Sequence, residues 1–214
     1  MRLIGVVLAS VLLPSWCAAQ VPLPRNDATL SLGWSGSQHR LEDYDRWHGS
    51  LFVGANSGRY WTDHFKTDIE AGWHSRSKTE TFHEITVGGV ETYALATVQV
   101  RDVRITIAPT YQFGRNQWVH PYVGAGTDII HRRSVLDRPA QSRFQSGPVS
   151  GRPPVNLTVP ALHERDSQVL VRPFLKTGVK MYASERGFFV TELKLGFAPD
   201  LDHAVWKLGV GFDF

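Results

Sequence analysis

The chain is 214 residues long, with a formal net charge of +3 and a single cysteine. That length fits one domain, and so small a positive excess gives no ground for a nucleic-acid partner. One thiol excludes both a disulfide framework and a cysteine metal site.

Residues 1–19 read as a secretory signal. Arg2 carries the positive charge, an apolar run of about eleven residues follows from Leu3, and Cys17, Ala18 and Ala19 offer a small-residue cleavage site. The run is too short for a membrane-spanning helix, which needs roughly 20 residues. Cleavage after Ala19 leaves Gln20 first and removes the thiol, and the bulky Trp16 argues against lipoprotein processing at Cys17. No other stretch is long and apolar enough for a spanning helix, so a membrane crossing must be made by strands.

Strand candidates then recur, with turn signals between them and no amphipathic helix. The first, 28–36, sets Ala28, Leu30, Leu32 and Trp34 on one face and Thr29, Ser31, Gly33 and Ser35 on the other. The second, 47–56, points Trp47, Gly49, Leu51, Val53 and Ala55 outward, and Ser57, Gly58 and Arg59 read as a tight turn. In the third, 65–74, Thr67, Ile69, Ala71 and Trp73 oppose Lys66, Asp68, Glu70 and Gly72. Within 75–100, two short alternating runs flank Gly88 and Gly89, as in a hairpin projecting beyond the membrane. The fourth strand, 102–113, carries Val103, Ile105, Ile107, Pro109, Tyr111 and Phe113 outward; a turn at 114–116 leads to the fifth, 119–130. Pro109 and Pro121 each lack a ladder donor and favour edges or bulges.

From Arg132 to Ser167 the alternation fades and Pro139, Pro148, Pro153, Pro154 and Pro160 accumulate, so 132–167 reads as a long mobile extracellular loop. Its arginines at 132, 133, 138, 143, 152 and 165 exceed its acids, Asp137, Glu164 and Asp166; on the external side that excess would match the phosphates of lipopolysaccharide in charge, and a plain solvated loop is the alternative reading. The sixth strand, 168–182, places Arg172, Lys176 and Lys180 inward, and 183–187 is a turn. The seventh, 188–197, has Thr191, Leu193, Leu195 and Phe197 outward with Glu192 and Lys194 inward.

The closing segment alternates without a break, Leu208, Val210, Phe212 and Phe214 against Lys207, Gly209, Gly211 and Asp213. A water-soluble protein buries such an apolar face, whereas a transmembrane β-barrel turns it toward lipid and keeps the polar face inside. Tyr60, Trp61, Tyr111, Phe113, Trp118, Tyr182, Phe188, Phe212 and Phe214 lie near short turns or the carboxyl end, and Trp34, Trp47, Trp73, Phe197 and Trp206 lie near the other rim. Two aromatic girdles are therefore expected.

The last residues also resemble the carboxyl-terminal assembly signal of bacterial outer-membrane barrels, with Lys207, Gly209, Phe212 and Phe214 at its positions. With the turn from Tyr60 to Asp63, the run Tyr111 to Gly114 and the run Pro121 to Gly126, the chain resembles the small outer-membrane β-barrel superfamily that includes the OmpA transmembrane domain and OmpX. The resemblance covers nearly all of 20–214 and implies an all-β fold: a closed, antiparallel, up-and-down transmembrane barrel of about eight strands. It implies residence in the outer membrane, delivery by the barrel-assembly machinery, contact with outer-membrane lipids including lipopolysaccharide, and a monomer. It names no activity.

Eight strands enclose an interior that side chains can fill, so a plugged lumen is expected and a narrow gated channel is its competitor. The inward charges are Asp68, Glu70, Asp128 and Glu192 against Arg104, Arg172, Lys176, Lys180, Lys194 and Lys207. They must form an ion network or hold water, and a network is expected, with Lys176, Glu192, Lys194 and Lys207 close together and Glu70 facing them. A secreted lipocalin-like carrier would instead need an apolar interior. A lipid A-modifying barrel enzyme would need its groups on the lipid face, whereas His48 and Ser50 point inward by parity. The histidines at 39, 74, 83, 131, 163 and 203 fall in or near the expected loops without ligand spacing, so no catalytic, cofactor or metal residue is expected.

Overall fold

The computed structural model describes residues 26–41, 44–87, 90–113, 118–145, 155–198 and 200–214. The expected signal peptide and the turns at Gly88 and Gly89 and at 114–116 lie outside them.

Ten strands follow in order: β1 Asn26–Leu41, β2 Tyr44–Tyr60, β3 Phe65–Val87, β4 Val90–Gln112, β5 Val119–Arg138, β6 Gln141–Gln145, β7 Val155–Val159, β8 Leu162–Tyr182, β9 Gly187–Phe197 and β10 Leu201–Asp213. Eight form a closed antiparallel barrel in the order β1-β10-β9-β8-β5-β4-β3-β2, while β6 and β7 pair as a separate two-stranded sheet. The seam joins first strand to last, from Asp27 opposite Asp213 to Ser37 opposite His203. Beyond it, Asn26 and Phe214 exchange backbone hydrogen bonds of 3.0 and 2.9 Å.

Period-two alternation sorts the side chains. Leu30, Leu32, Trp34, Leu51, Ile69, Trp73, Val103, Ile105, Ile129, Val171, Leu175, Phe189, Leu208, Val210 and Phe212 are all exposed, whereas Thr29, Ser31, Asp68, Glu70, Thr106, Lys176, Glu192 and Lys207 are buried. The core of this barrel is polar and its wall is apolar, the inverse of a water-soluble fold.

Bulky inward groups are fitted by a large-against-small rule. Tyr122 faces Gly178, Phe174 faces Gly126 and Lys176 faces Gly124 across β5 and β8. Phe188 faces Gly211 and His203 faces Gly196 across β9 and β10, and Lys207 faces Gly33 at the seam. A Cβ on Gly126 would lie 2.9 Å from the Phe174 ring, and one on Gly124 would lie 2.8 Å from Lys176 Cε. Small barrels need such pairing because the interior has no spare width.

The glycine signal explains one misplaced turn. Residues 57–59 are not a turn: Gly58 lies within β2, opposite Asp68 of β3 and Asp27 of β1. A Cβ there would come within 2.7 Å of Asp68 Oδ1 and collide with Asp27, so the glycine clears space for two carboxylates. The chain reverses at 61–64, where Thr62 Oγ1 accepts from the backbone N–H groups of His64 and Phe65. Pro109 and Pro121 stay within strands, and the β4–β5 pairing skips the positions between Ile107/Thr127 and Thr110/Gly124, around Pro109.

The long segment after Arg132 is also not a structureless loop. β5 continues to Arg138, paired in unbroken register with β8 back to Leu162. Alternation fails there because both faces are wet, which removes the hydrophobic signal while leaving the backbone ladder. Pro139 and Pro160 fall in the connections flanking β6 and β7, and the Gln141 side chain holds this sheet to β4 through the N–H and C=O of Leu95, at 3.1 and 2.6 Å. β3 and β4 likewise pair past His74, the last β3 residue bonded to β2, as far as Val87 and Val90.

Both described termini and the short bends at 61–64 and 183–186 share one end, and the extended hairpins share the other. In outer-membrane barrels these are the periplasmic and external ends. Trp61, Tyr111, Phe113, Trp118, Phe212 and Phe214 are exposed at the short-turn rim and Trp34, Trp73 and Trp206 toward the other. Tyr60, Tyr182 and Phe188 are not girdle residues; their parity turns them into the lumen.

A closed ladder of this kind resists detergent until heated. Unboiled protein should migrate apart from boiled protein on a detergent gel; a single band at every temperature would contradict closure.

Candidate functional site in the lumen

The inward faces bring acids and bases together in alternation. From the short-turn end, Asp213 meets Lys180 at 2.5 Å, Lys180 meets Asp27 at 3.1 Å, and Asp27 meets Lys66 at 2.8 Å. Lys66 reaches Asp68 at 2.8 Å, Asp68 reaches Lys176 at 2.6 Å, and Lys176 lies 3.6 Å from Glu192. Glu192 lies 2.9 Å from Lys207, Lys207 bonds Glu70, and Glu70 accepts from Lys194 at 3.1 Å. Lys194 and Arg104 both lie 3.2 Å from Asp128. Six acids and six bases thus form one continuous chain with no like charges adjacent along it.

Hydroxyls and amides take up much of the remaining bonding capacity. Thr110 donates to Asp68 at 2.7 Å, Tyr122 to Glu192 at 2.9 Å and Tyr60 to Asp27 at 3.1 Å; Thr106 bonds Asp128 and Tyr182 bonds Asp213. Four of these lysines, Lys66, Lys176, Lys180 and Lys194, also lie over rings, with Lys180 Nζ 3.7 Å from the Phe188 centroid and Lys194 Nζ 4.6 Å from that of Phe174. A cavity of about 20 Å³, bordered by Asp27, Asn56, Asp68, Tyr122 and Glu192 among others, has room for roughly one water. Asp27 Oδ1 and Asn56 Oδ1, which have no protein partner, belong to residues lining it.

At the external end a second group continues the pattern. Asp102 holds Arg132 at 2.8 Å and His74 at 3.2 Å, His203 lies 3.2 Å from Asp128, and Arg172 bonds Asp202 at 3.0 Å. Of the ten charges assigned to the lumen from sequence, nine are buried inside it. The tenth, Arg172, is half-buried near the external mouth. Asp27, Lys66, Asp102, Arg132, His74, His203 and Asp213 complete the arrangement and were not in that set. Parity already turns Lys66 and Asp213 inward, and extending the same count to Asp27 and Asp102 finds both. His74 and His203 are not loop residues; each is buried beside a carboxylate. Arg132 turns inward to Asp102 although the sequence placed it in a loop.

Ser50 is buried on the inward face and donates to the Ser35 carbonyl at 3.4 Å, away from lipid. The His48 side chain lies outside the described residues. Among the described residues no group of three or more His, Cys, Asp and Glu converges as metal ligands. Lys207, Gly209, Phe212 and Phe214 occupy the seam strand, Lys207 buried in the lumen and both phenylalanines exposed on the wall.

A closed antiparallel eight-stranded barrel with an apolar exterior and an ionic interior defines the class by its fold: a transmembrane β-barrel. No protein-family model matches the chain, and no curated protein matches it in sequence. Its fold is similar to that of solved outer-membrane proteins. OprG of Pseudomonas aeruginosa gives a TM-score of 0.54 at 10% identity, covering 90% of this chain and 97% of that one. Ail of Yersinia pestis gives 0.53 at 11% identity, with 89% and 99% covered. The Neisserial surface protein NspA gives 0.53 at 11% identity, with 88% and 96% covered. At such identities the likeness is one of fold alone.

At the seam two carboxylates, Asp27 and Asp213, are direct cross-strand partners, and Lys180 of β8 bridges them. Like charges so placed repel. Lys180→Met should therefore cost about 3–5 kcal/mol of stability, read by urea unfolding in lipid vesicles. Adding Asp213→Asn should restore a substantial part of the loss; no recovery in the double variant would refute the bridging role.

Proposed function

We propose that this protein is a monomeric structural or surface-interaction barrel of the outer membrane, secreted by cleavage after Ala19 and inserted by the barrel-assembly machinery, with an ion-locked lumen and no catalytic site. The observation that carries the reading is the unbroken alternation of six acids and six bases along the lumen. Each charge is neutralised by neighbours on other strands, and the large-against-small pairing fills the space between them. A transport path needs sites that ions enter and leave, and charges bound this closely to one another offer none. The long hairpins at the external end are the part available for contact with other molecules. In keeping with that role, Ail, whose fold this chain shares, has been crystallised with the heparin analogue sucrose octasulfate.

The carrier alternative fails on both surfaces, since the wall is apolar and the interior ionic. A lipid-modifying enzyme is disfavoured by the inward direction of Ser50. Planar-bilayer recordings on purified protein should show no reproducible conductance steps; ohmic steps would favour the narrow channel instead. Amino-terminal sequencing of protein from isolated membranes should begin at Gln20, and an intact Met1 would exclude the cleavage.

A further inference from the structure

Three cross-strand pairs in the described barrel join like charges directly. Asp27 and Asp213 are bridged by Lys180, and Lys176 and Lys194 share the lumen carboxylates. The third, Arg101 opposite Arg133 on β4 and β5, faces outward. Both arginines are exposed, and among the described residues no acid pairs with either.

The pair stands at a defined height. Arg101 is eleven positions above Gln112, the periplasmic end of β4, and a membrane-crossing strand takes roughly 9–11 residues. Immediately below it on the outward face come Val103, Ile105 and Ile107, all exposed to lipid. The two guanidinium groups therefore emerge where hydrocarbon gives way to the headgroups of the outer leaflet. Serine hydroxyls flank them, since Ser75 of β3 pairs with Arg101 and Ser167 of β8 pairs with Arg133. The outward rows above and below this row contain no carboxylate: Trp73, Val103, His131 and Val169 on the membrane side, and Ser77, Gln99, Val135 and Arg165 on the external side.

We propose that the row Ser75, Arg101, Arg133 and Ser167 is a binding site for a phosphate group of lipid A in the outer leaflet. Direct cross-strand positions hold the two Cβ atoms about 5 Å apart, close enough for both guanidinium forks to grip one phosphate. The bound anion removes a repulsion that the lumen pairs relieve with protein charges. Continuity with the lipid-facing band selects a membrane lipid over a soluble anion. This inference rests on the outer-membrane reading and adds to it a lipid contact at the base of the external hairpins, where they leave the apolar band.

The test uses the full mature chain in phosphatidylcholine nanodiscs doped with lipid A, either carrying both phosphates or enzymatically dephosphorylated, with bound lipid counted by native mass spectrometry. The wild type should prefer the phosphorylated form by on the order of tenfold. Arg101→Gln/Arg133→Gln should abolish that preference, while Arg186→Gln, in the exposed periplasmic bend, should keep it. No preference in the wild type would overturn the site, as would a preference that survives the double variant. Should the double variant fail to fold, Arg101→Lys and Arg133→Lys decide, because they keep charge but lose the planar fork. Each should weaken the preference, and no weakening in either would overturn the site. A negative result here leaves heat-modifiable migration and bilayer silence untouched, so it cannot be confused with failure of the barrel reading.

Discussion

Charge neutrality inside a narrow ring of strands is the constraint on which the rest of this molecule depends. An unpaired ion away from water costs several kcal/mol, and an eight-stranded ring is too tight to solvate many of them. The solution here is positional: acids and bases from every barrel strand but β1's upper half and β2 alternate along the axis, several of them paired across the interior with residues distant in sequence. Lys207 reaches Glu70 and Lys176 reaches Asp68 over separations of 137 and 108 residues. Contacts of that range exist only once the ring is shut, so the polar interior and the closed topology presuppose one another.

The same constraint explains which parts of the architecture were legible in the sequence. Where one strand face meets lipid and the other meets ions, alternation is forced, and Leu30 through Trp34 or Leu208 through Phe214 can be read without a structure. Outside the membrane both faces meet water, the alternation disappears, and the ladders between Arg132–Arg138 and Leu162–Gln168 leave no hydrophobic trace. Glycine misled in a different way. At position 58 it marks room for carboxylates inside the lumen, while the nearby reversal is made by Trp61 to His64, which contain no glycine.

The candidate site was half legible for a related reason. Parity gives direction, so nine of the assigned charges are where the count puts them. Pairing depends on stagger between strands, which a single strand does not encode. Aromatic residues expose the limit most clearly: Tyr111 and Tyr182 both lie near periplasmic turns, yet one is exposed on the wall and the other bonds Asp213 inside. One step of parity separates a lipid anchor from a lumen hydrogen-bond donor.

The pairing of each bulky inward group with a glycine on the next strand has a consequence for how such a barrel can change over time. Enlarging Gly126 or Gly178 alone drives a side chain into Phe174 or Tyr122, and shrinking either aromatic alone opens a void. Shrinking the ring would not free the glycine either, because the same Cβ would meet the backbone oxygen of Ile107 at 2.2 Å or of Thr191 at 2.4 Å. Each glycine and the ring it faces are therefore held as a unit, and drift in this wall is left to the outward positions.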